Sequence, residues 1–174
     1  MNIYSHEIAS YKREIDAFTT EYEMGSKEGN LTHYSLALSN RTNLLVIGLC
    51  SLVEAYLYEV AHKAEIDTPF KIDDLKGNGI SRLKTFITRS KGIDFGEITT
   101  WEEFHQIYQL RNALVHGYGG LVDSVDIGKV EKALKTLKCS DALVGGRRIR
   151  LMPGSLSKFC NIVENTITQV EART

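Results

Sequence analysis

The stretch that decides the fold is residues 44–53, LLVIGLCSLV, a nearly continuous apolar run. Apart from Ser51 it contains no polar side chain, so a helix formed here would be apolar almost all the way round. Such a helix is typical of the centre of a helical bundle, and we expect it to span about residues 40–66. The uninterrupted run is shorter than the roughly 20 residues that a membrane span requires, so we expect no membrane partner.

Glu54 directly follows this run and shares a helical face with Ile47, Cys50 and Tyr58. A carboxylate on an apolar face needs a cationic partner or access to water. Two interpretations are open. In the first, Glu54 pairs with Arg111 and orients it. In the second, Glu54 reaches solvent at the edge of the helix.

Arg111 belongs to residues 110–117, LRNALVHG, which end an amphipathic pattern that begins near Trp101 and predicts a helix. Arg111 falls in the middle of the apolar stripe, where a guanidinium is costly unless it is paired or opens onto a polar cavity. The stripe that would face the core consists of Trp101, Phe104, Ile107, Tyr108, Leu114, Val115 and Tyr118.

A polar stripe runs beside the apolar one and ends at Asn112 and His116, which are one helical turn apart. Arg111 and His116 are separated by about 140° around the helix and roughly 7.5 Å along it. The two side chains can converge because Arg is long and because the helix can end at Gly117. The stretch therefore offers a permanent cation, an amide and an imidazole around one point, which favours an anion or phosphate site.

The Arg-Asn-x-x-x-His arrangement of Arg111, Asn112 and His116 resembles the signature of HEPN domains (higher eukaryotes and prokaryotes nucleotide-binding). In that family the Arg and the His are separated by four to six residues, and a polar residue often follows the Arg. The resemblance covers the second to fourth predicted helices, and the rest of the chain through its length and helical class. It implies an all-α, up-and-down helical bundle of the HEPN type, forming a single domain over residues 1–174.

The resemblance also implies a function. Many HEPN proteins are metal-independent endoribonucleases, often toxins of toxin–antitoxin pairs or antiviral defence effectors, in which two copies bring their motifs together as a homodimer. His116 would then act as general acid or base at the ribose 2′-hydroxyl and the leaving oxygen, since histidine side chains titrate near neutral pH. Arg111 would stabilise the charge on the phosphate, and Asn112 would position the imidazole or the phosphate. The partners implied are RNA and an antitoxin or other regulatory protein.

Two alternatives to catalysis are open. The chain also resembles a non-catalytic HEPN module that binds a nucleotide or a protein partner. In the simplest alternative, Arg111 is structural and His116 merely ends a helix.

A second cluster of positive charge lies near residues 142–151, which predict a small β-hairpin that turns on Gly145 and Gly146. Arg147, Arg148 and Arg150 make it the densest positive cluster in the chain. One interpretation is a finger that contacts the phosphate backbone of a substrate. The other is a charged ribbon that protects an exposed sheet edge from aggregation.

Composition bounds the remaining possibilities. A chain of 174 residues is long enough for one domain with a real core, and its net charge of −1 gives no overall basic field to attract nucleic acid. Cys50, Cys139 and Cys160 lie in apolar patterns without CxxC spacing, so we expect reduced core thiols and neither disulfides nor a metal site. The first residues show no signal-peptide pattern, and we expect a cytoplasmic protein without a cofactor.

Overall fold

The computed structural model describes residues 3–27, 31–117 and 120–174, with side chains described from residue 39 onward in the second helix. The described part contains six α-helices: α1 (Ile3–Lys27), α2 (Leu31–Glu65), α3 (Gly79–Lys91), α4 (Trp101–His116), α5 (Ile127–Thr136) and α6 (Pro153–Glu171). A two-stranded antiparallel hairpin, β1 (Leu143–Val144) and β2 (Arg148–Ile149), lies between α5 and α6. The expected all-α bundle with a small hairpin is confirmed.

Helix α2 is the central helix, as the apolar run predicts. It contacts α1, α3, α4 and α6, and its inward side chains are almost completely buried. These are Val46, Leu49, Cys50, Val53, Leu57 and Ala61. The helix begins earlier than the expected start near residue 40, because residues 31–39 belong to it, and residues 28–30 lie outside the described part.

One face of α2 is nevertheless exposed in the described part of the chain. Leu44 is 69% exposed and Tyr58 is 54% exposed. Ser51 and Ala55, between them on the same face, are exposed as well. Half of the most apolar 18-residue stretch of this helix is buried inside the fold. An apolar surface stripe therefore runs along the central helix.

Helix α4 buries most of the predicted stripe, including Trp101, Phe104, Ile107 and Leu114. Val115 does not follow it, because its side chain is 45% exposed at the last turn of the helix. Tyr118 lies outside the described residues. The stripe is therefore confirmed over the first three turns and fails where the helix ends.

Candidate functional site

The site lies at the carboxyl end of α4, where the chain reverses at Gly117. A Cβ atom built at Gly117 would overlap the carbonyl oxygen of Leu121 and would lie 2.6 Å from that of Ala113. Only a glycine allows the backbone to return this closely. The return segment then pairs with the hairpin, through a bridge between Leu121 and Arg148 and a 2.7 Å hydrogen bond from the Val122 N–H to the Arg147 carbonyl.

The three residues of the predicted motif come together. Arg111, Asn112 and His116 line one cavity of about 470 Å³ at the surface. Asn78 and Gly79, at the start of α3, also line this cavity. So do Asp126, Lys129 and Val130, at the start of α5. A cation, an amide and an imidazole therefore face one space, as the helical spacing predicts.

Arg111 is held by its own helix. Its Nη1 donates a hydrogen bond to Asn112 Oδ1 at 3.0 Å, and its guanidinium carbon lies 5.4 Å from the centre of the Tyr108 ring. That distance is within the range of a cation–π contact. Its Nε is buried and has no hydrogen-bond partner in the described part of the chain. Asn112 and Tyr108 thus orient the guanidinium, and no carboxylate of the described residues forms an ion pair with it.

Glu54 is half-buried near the same place, but the direct pairing with Arg111 is not formed: the ion pairs within 4.0 Å among the described residues do not include it. The carboxylate lies instead against Gly79, where a Cβ would be 2.9 Å from Glu54 Oε1 and 3.0 Å from the Tyr108 hydroxyl. With a φ of +51°, Gly79 is also a position that favours glycine. An orienting role for Glu54, acting through Tyr108, stays a proposal.

Electrostatics connects these groups. Burial raises the pKa of Tyr108 above its ordinary value; the nearby charge of Glu54 raises it further, whereas Arg111 and a hydrogen bond with the Ile80 backbone lower it. Burial likewise raises the pKa of the Cys50 thiol to about 12, with Arg111 opposing the effect and Glu54 adding to it. Cys50 is therefore a neutral thiol beneath the site, as expected from its apolar pattern.

His116 is the last residue of α4, and its side chain is exposed. It lines a second cavity of about 280 Å³, whose walls also include Leu121, Val122, Asp123 and Arg147. Ala113, His116 and Asp126 line both cavities. The imidazole therefore stands at the boundary between two adjoining spaces.

The three arginines of the hairpin lie in different surroundings. Arg147 lies in the turn and reaches the smaller cavity beside His116. Arg148 pairs with Val144 in the hairpin and bridges to Leu121, and the Arg150 N–H donates to the Ala142 carbonyl at 2.7 Å. Neither Arg148 nor Arg150 belongs to the described lining of the two cavities. Of the proposed substrate contacts, only Arg147 adjoins the motif.

Sequence reasoning missed the contribution of α5. Lys129 and Asp126 form an ion pair, with Lys129 Nζ 2.9 Å from Asp126 Oδ1, and both line the larger cavity. A signal existed in the order of the helices, because elements that follow one another along the chain are usually adjacent in space. That tendency would have placed the start of α5 near His116.

No family model, no curated protein and no solved structure matches this chain. The class that the structure defines is a helical bundle with a small hairpin. Among the described residues, no group of three or more histidine, cysteine or acidic side chains is arranged to hold a metal ion. One described helix, Ser39–Glu65, is long and apolar enough to cross a membrane by length and composition, criteria that the core helix of a soluble protein also meets.

Proposed function

We propose that this protein is a metal-independent endoribonuclease of the HEPN type that cleaves RNA at Arg111, Asn112 and His116. The observation that carries the proposal is the convergence of these three side chains on one cavity of about 470 Å³. The Arg-Asn-x-x-x-His resemblance adds the class of substrate. A surface cavity with a fixed cation suits a phosphodiester, because the guanidinium fork matches phosphate oxygens.

The proposed reaction is an internal transfer at phosphorus. A general base removes the proton of the ribose 2′-hydroxyl, the 2′-oxygen attacks the adjacent phosphorus, and the bond to the 5′-oxygen breaks. The leaving oxygen takes a proton from a general acid. The products are a 2′,3′-cyclic phosphate and a 5′-hydroxyl, so the step consumes no water.

His116 is the proton-transfer group in this scheme, and Arg111 stabilises the charge of the phosphorane. Asn112 accepts a hydrogen bond from Arg111 and so fixes the direction of the guanidinium. Arg147 lines the adjoining cavity and contacts the part of the RNA next to the scissile phosphate. Arg148 and Arg150 have a structural role in the hairpin in this proposal, which narrows the earlier expectation.

The reaction needs a general base and a general acid, but the described lining of the cavity contains one histidine, His116. We therefore propose a homodimer in which each copy supplies one His116 to a composite site. Support comes from the apolar surface that the single chain leaves uncovered, formed by Leu44 and Tyr58 on α2 and Val115 on α4. Asn43 and Leu114, the neighbours of Leu44 and Val115, both lie within 4 Å of a Cβ built at Gly120, so these two exposed side chains occupy the same end of the bundle.

The test is cleavage of total RNA by the purified protein in the presence of EDTA, with sequencing of the new ends. His116→Ala should lower cleavage by about 10²–10⁴-fold, the usual effect of losing a general acid or base. His105→Ala is the matched control, because His105 is an exposed histidine on the same helix outside both cavities. Cleavage that persists in His116→Ala, or that requires Mg²⁺, would remove this proposal.

The biological setting belongs to the same proposal. A cytoplasmic RNase of this kind needs restraint, which an antitoxin or other regulatory protein would supply. Expression should then arrest growth, and His116→Ala should relieve the arrest. Growth arrest that is equal for both proteins, together with RNA that stays intact, would favour the non-catalytic module that binds a nucleotide or a protein partner.

A further inference from the structure

The two cavities that meet at His116 differ in charge. The larger contains the cations Arg111 and Lys129 and one carboxylate, Asp126. The smaller contains one cation, Arg147, and two carboxylates, Asp123 and Asp126. Even when the charge of Asp126 is assigned to its ion pair with Lys129, the described lining of the smaller cavity has no net positive charge. A phosphate is therefore favoured in the larger cavity and not in the smaller one.

The smaller cavity has the other properties of a site for a planar heterocycle. Its volume is about 280 Å³, and Ala113, Leu121 and the buried Val122 provide apolar wall. Small-molecule sites typically combine such walls with a few polar groups that fix orientation. Here the polar side chains of the described lining are those of His116, Arg147, Asp123 and Asp126. The two carboxylates accept hydrogen bonds and do not donate them.

Both carboxylates keep one oxygen available. Asp123 Oδ1 accepts from the Ser124 hydroxyl at 3.1 Å and from the Val125 N–H at 3.3 Å. Asp126 Oδ1 accepts from Lys129 Nζ. None of these bonds uses an Oδ2 atom. Among the described residues, a ligand that enters this cavity therefore meets two carboxylate Oδ2 atoms without a donor, to which its own N–H groups can donate.

We propose that the smaller cavity is a base-recognition subsite, in which Asp123 and Asp126 select a nucleobase with an exocyclic amino group over uracil. The inference rests on the proposed function, because it takes the ligand to be RNA with its phosphate in the larger cavity. Adenine, cytosine and guanine each present an amino donor to a carboxylate. Uracil instead presents carbonyl oxygens on both sides of its single N–H, and these face carboxylates unfavourably.

The test uses 2′-O-methyl dinucleoside monophosphates, which lack the 2′-hydroxyl nucleophile and cannot be cleaved. Affinities for the 16 base combinations of A, C, G and U are measured by calorimetry with the full chain. We expect an amino-bearing base at one of the two positions to bind about fivefold tighter or more than uracil, the lower range for one base-specific contact. Arg111→Ala should weaken all probes by a similar factor.

Asp123→Asn and Asp126→Asn test the assignment. An amide keeps the Oδ1 acceptor of each turn but adds a donor that suits the uracil carbonyls. The ratio of the affinities for amino-bearing and uracil probes should therefore fall towards one, at least in the variant that carries both substitutions. The matched control is Glu131→Gln, which removes one negative charge from the exposed surface of α5 outside both cavities and should leave the preference unchanged.

A wild-type protein that binds uracil and cytosine probes equally would overturn the inference, as would a preference that survives in the double variant. The outcome is independent of catalysis. Base preference without cleavage of RNA would remove the proposed nuclease and leave the subsite. Cleavage of RNA without base preference would remove the subsite and leave the proposed nuclease.

Discussion

At the scale of single residues, helical spacing accounts for much of the site. The positions of Arg111, Asn112 and His116 relative to one another follow from α-helix geometry and from a helix end at Gly117, and the structure has all three on one cavity. The partner of Arg111 could not be derived in this way. Spacing places Glu54 on a face of α2, but it does not determine which side chain of another helix fills the intervening space. Tyr108 fills it.

The Glu54→Gln variant tests this arrangement. Because no ion pair within 4.0 Å joins Glu54 to Arg111, we expect the free energy of unfolding to change by less than about 1 kcal/mol, well below the cost of breaking a buried pair. The pKa of Tyr108 should fall, since the Glu54 charge helps to raise it. Absorbance titration measures this shift, with Tyr108→Phe identifying the transition. A large loss of melting temperature would indicate that the two charges do pair.

Cys50 makes stability depend on pH in the alkaline range. The pKa of its thiol rises from 9.0 in a model compound to about 12 in the fold, chiefly through burial. Between these pH values the unfolded chain loses a proton that the folded chain keeps. The contribution of this thiol to stability is therefore fully present below pH 9 and is lost as the pH rises towards 12. The contribution to the slope is at most about 1.4 kcal/mol per pH unit.

Denaturant unfolding at several pH values checks this expectation. Cys50→Ala lowers stability at every pH by leaving a cavity, so the comparison concerns slopes only. The decline above pH 9 should be shallower in the variant than in the wild-type protein. Equal slopes would show that the thiol titrates normally.

At the scale of elements, the helices could be predicted and their exposed faces only in part. Periodicity locates α4 and the core side of α2 because each buries a stripe in the same chain. Val115 and Leu44 break the pattern, since they are apolar but 45% and 69% exposed. A sequence records that a side chain is apolar, not whether its own chain covers it. The position of the hairpin beside α4 was also out of reach, because it depends on the Leu121–Arg148 bridge and the Val122–Arg147 hydrogen bond, which join residues far apart in the chain.

Gly117 links α4 to the segment that pairs with the hairpin, and Gly117→Ala tests its role. The added methyl group would meet the carbonyl oxygens of Leu121 and Ala113. We expect a destabilisation of about 1–3 kcal/mol, the usual cost of overpacking, and a loss of cleavage as Arg147 moves away from His116.

The control is Gly128→Ala in α5, where a Cβ atom meets nothing within 4 Å. Alanine is favoured over glycine inside a helix by about 1 kcal/mol, so this variant should be neutral or slightly more stable. Thermal unfolding separates the two cases. A Gly117→Ala protein that unfolds like Gly128→Ala would show that the reversal tolerates a side chain.

At the scale of the whole molecule, an apolar core and its helical class follow directly from composition and periodicity. The contact between α4 and α5 follows only from the tendency of consecutive helices to be neighbours, and it determines which charged side chains line the cavities at His116. Neither composition nor the order of the helices predicts whether two copies of the chain assemble. The sequence pattern of the apolar stripe on α2 does not depend on whether the same chain or a second copy covers it. The structure leaves Leu44 and Tyr58 uncovered.

The last prediction concerns this stripe. If two copies join through it, the wild-type protein sediments as a dimer at micromolar concentration, and Leu44→Glu, which puts a charge on a desolvated surface, gives a monomer. The monomer should keep its melting behaviour, because Leu44 is 69% exposed within the chain, but it should lose RNA cleavage with its composite site. Ile66→Glu is the matched control: Ile66 is 82% exposed just beyond the other end of α2, roughly 33 Å away along the helix, and should leave a cleaving dimer. A wild-type monomer that cleaves RNA would require both proton transfers to be made within one chain.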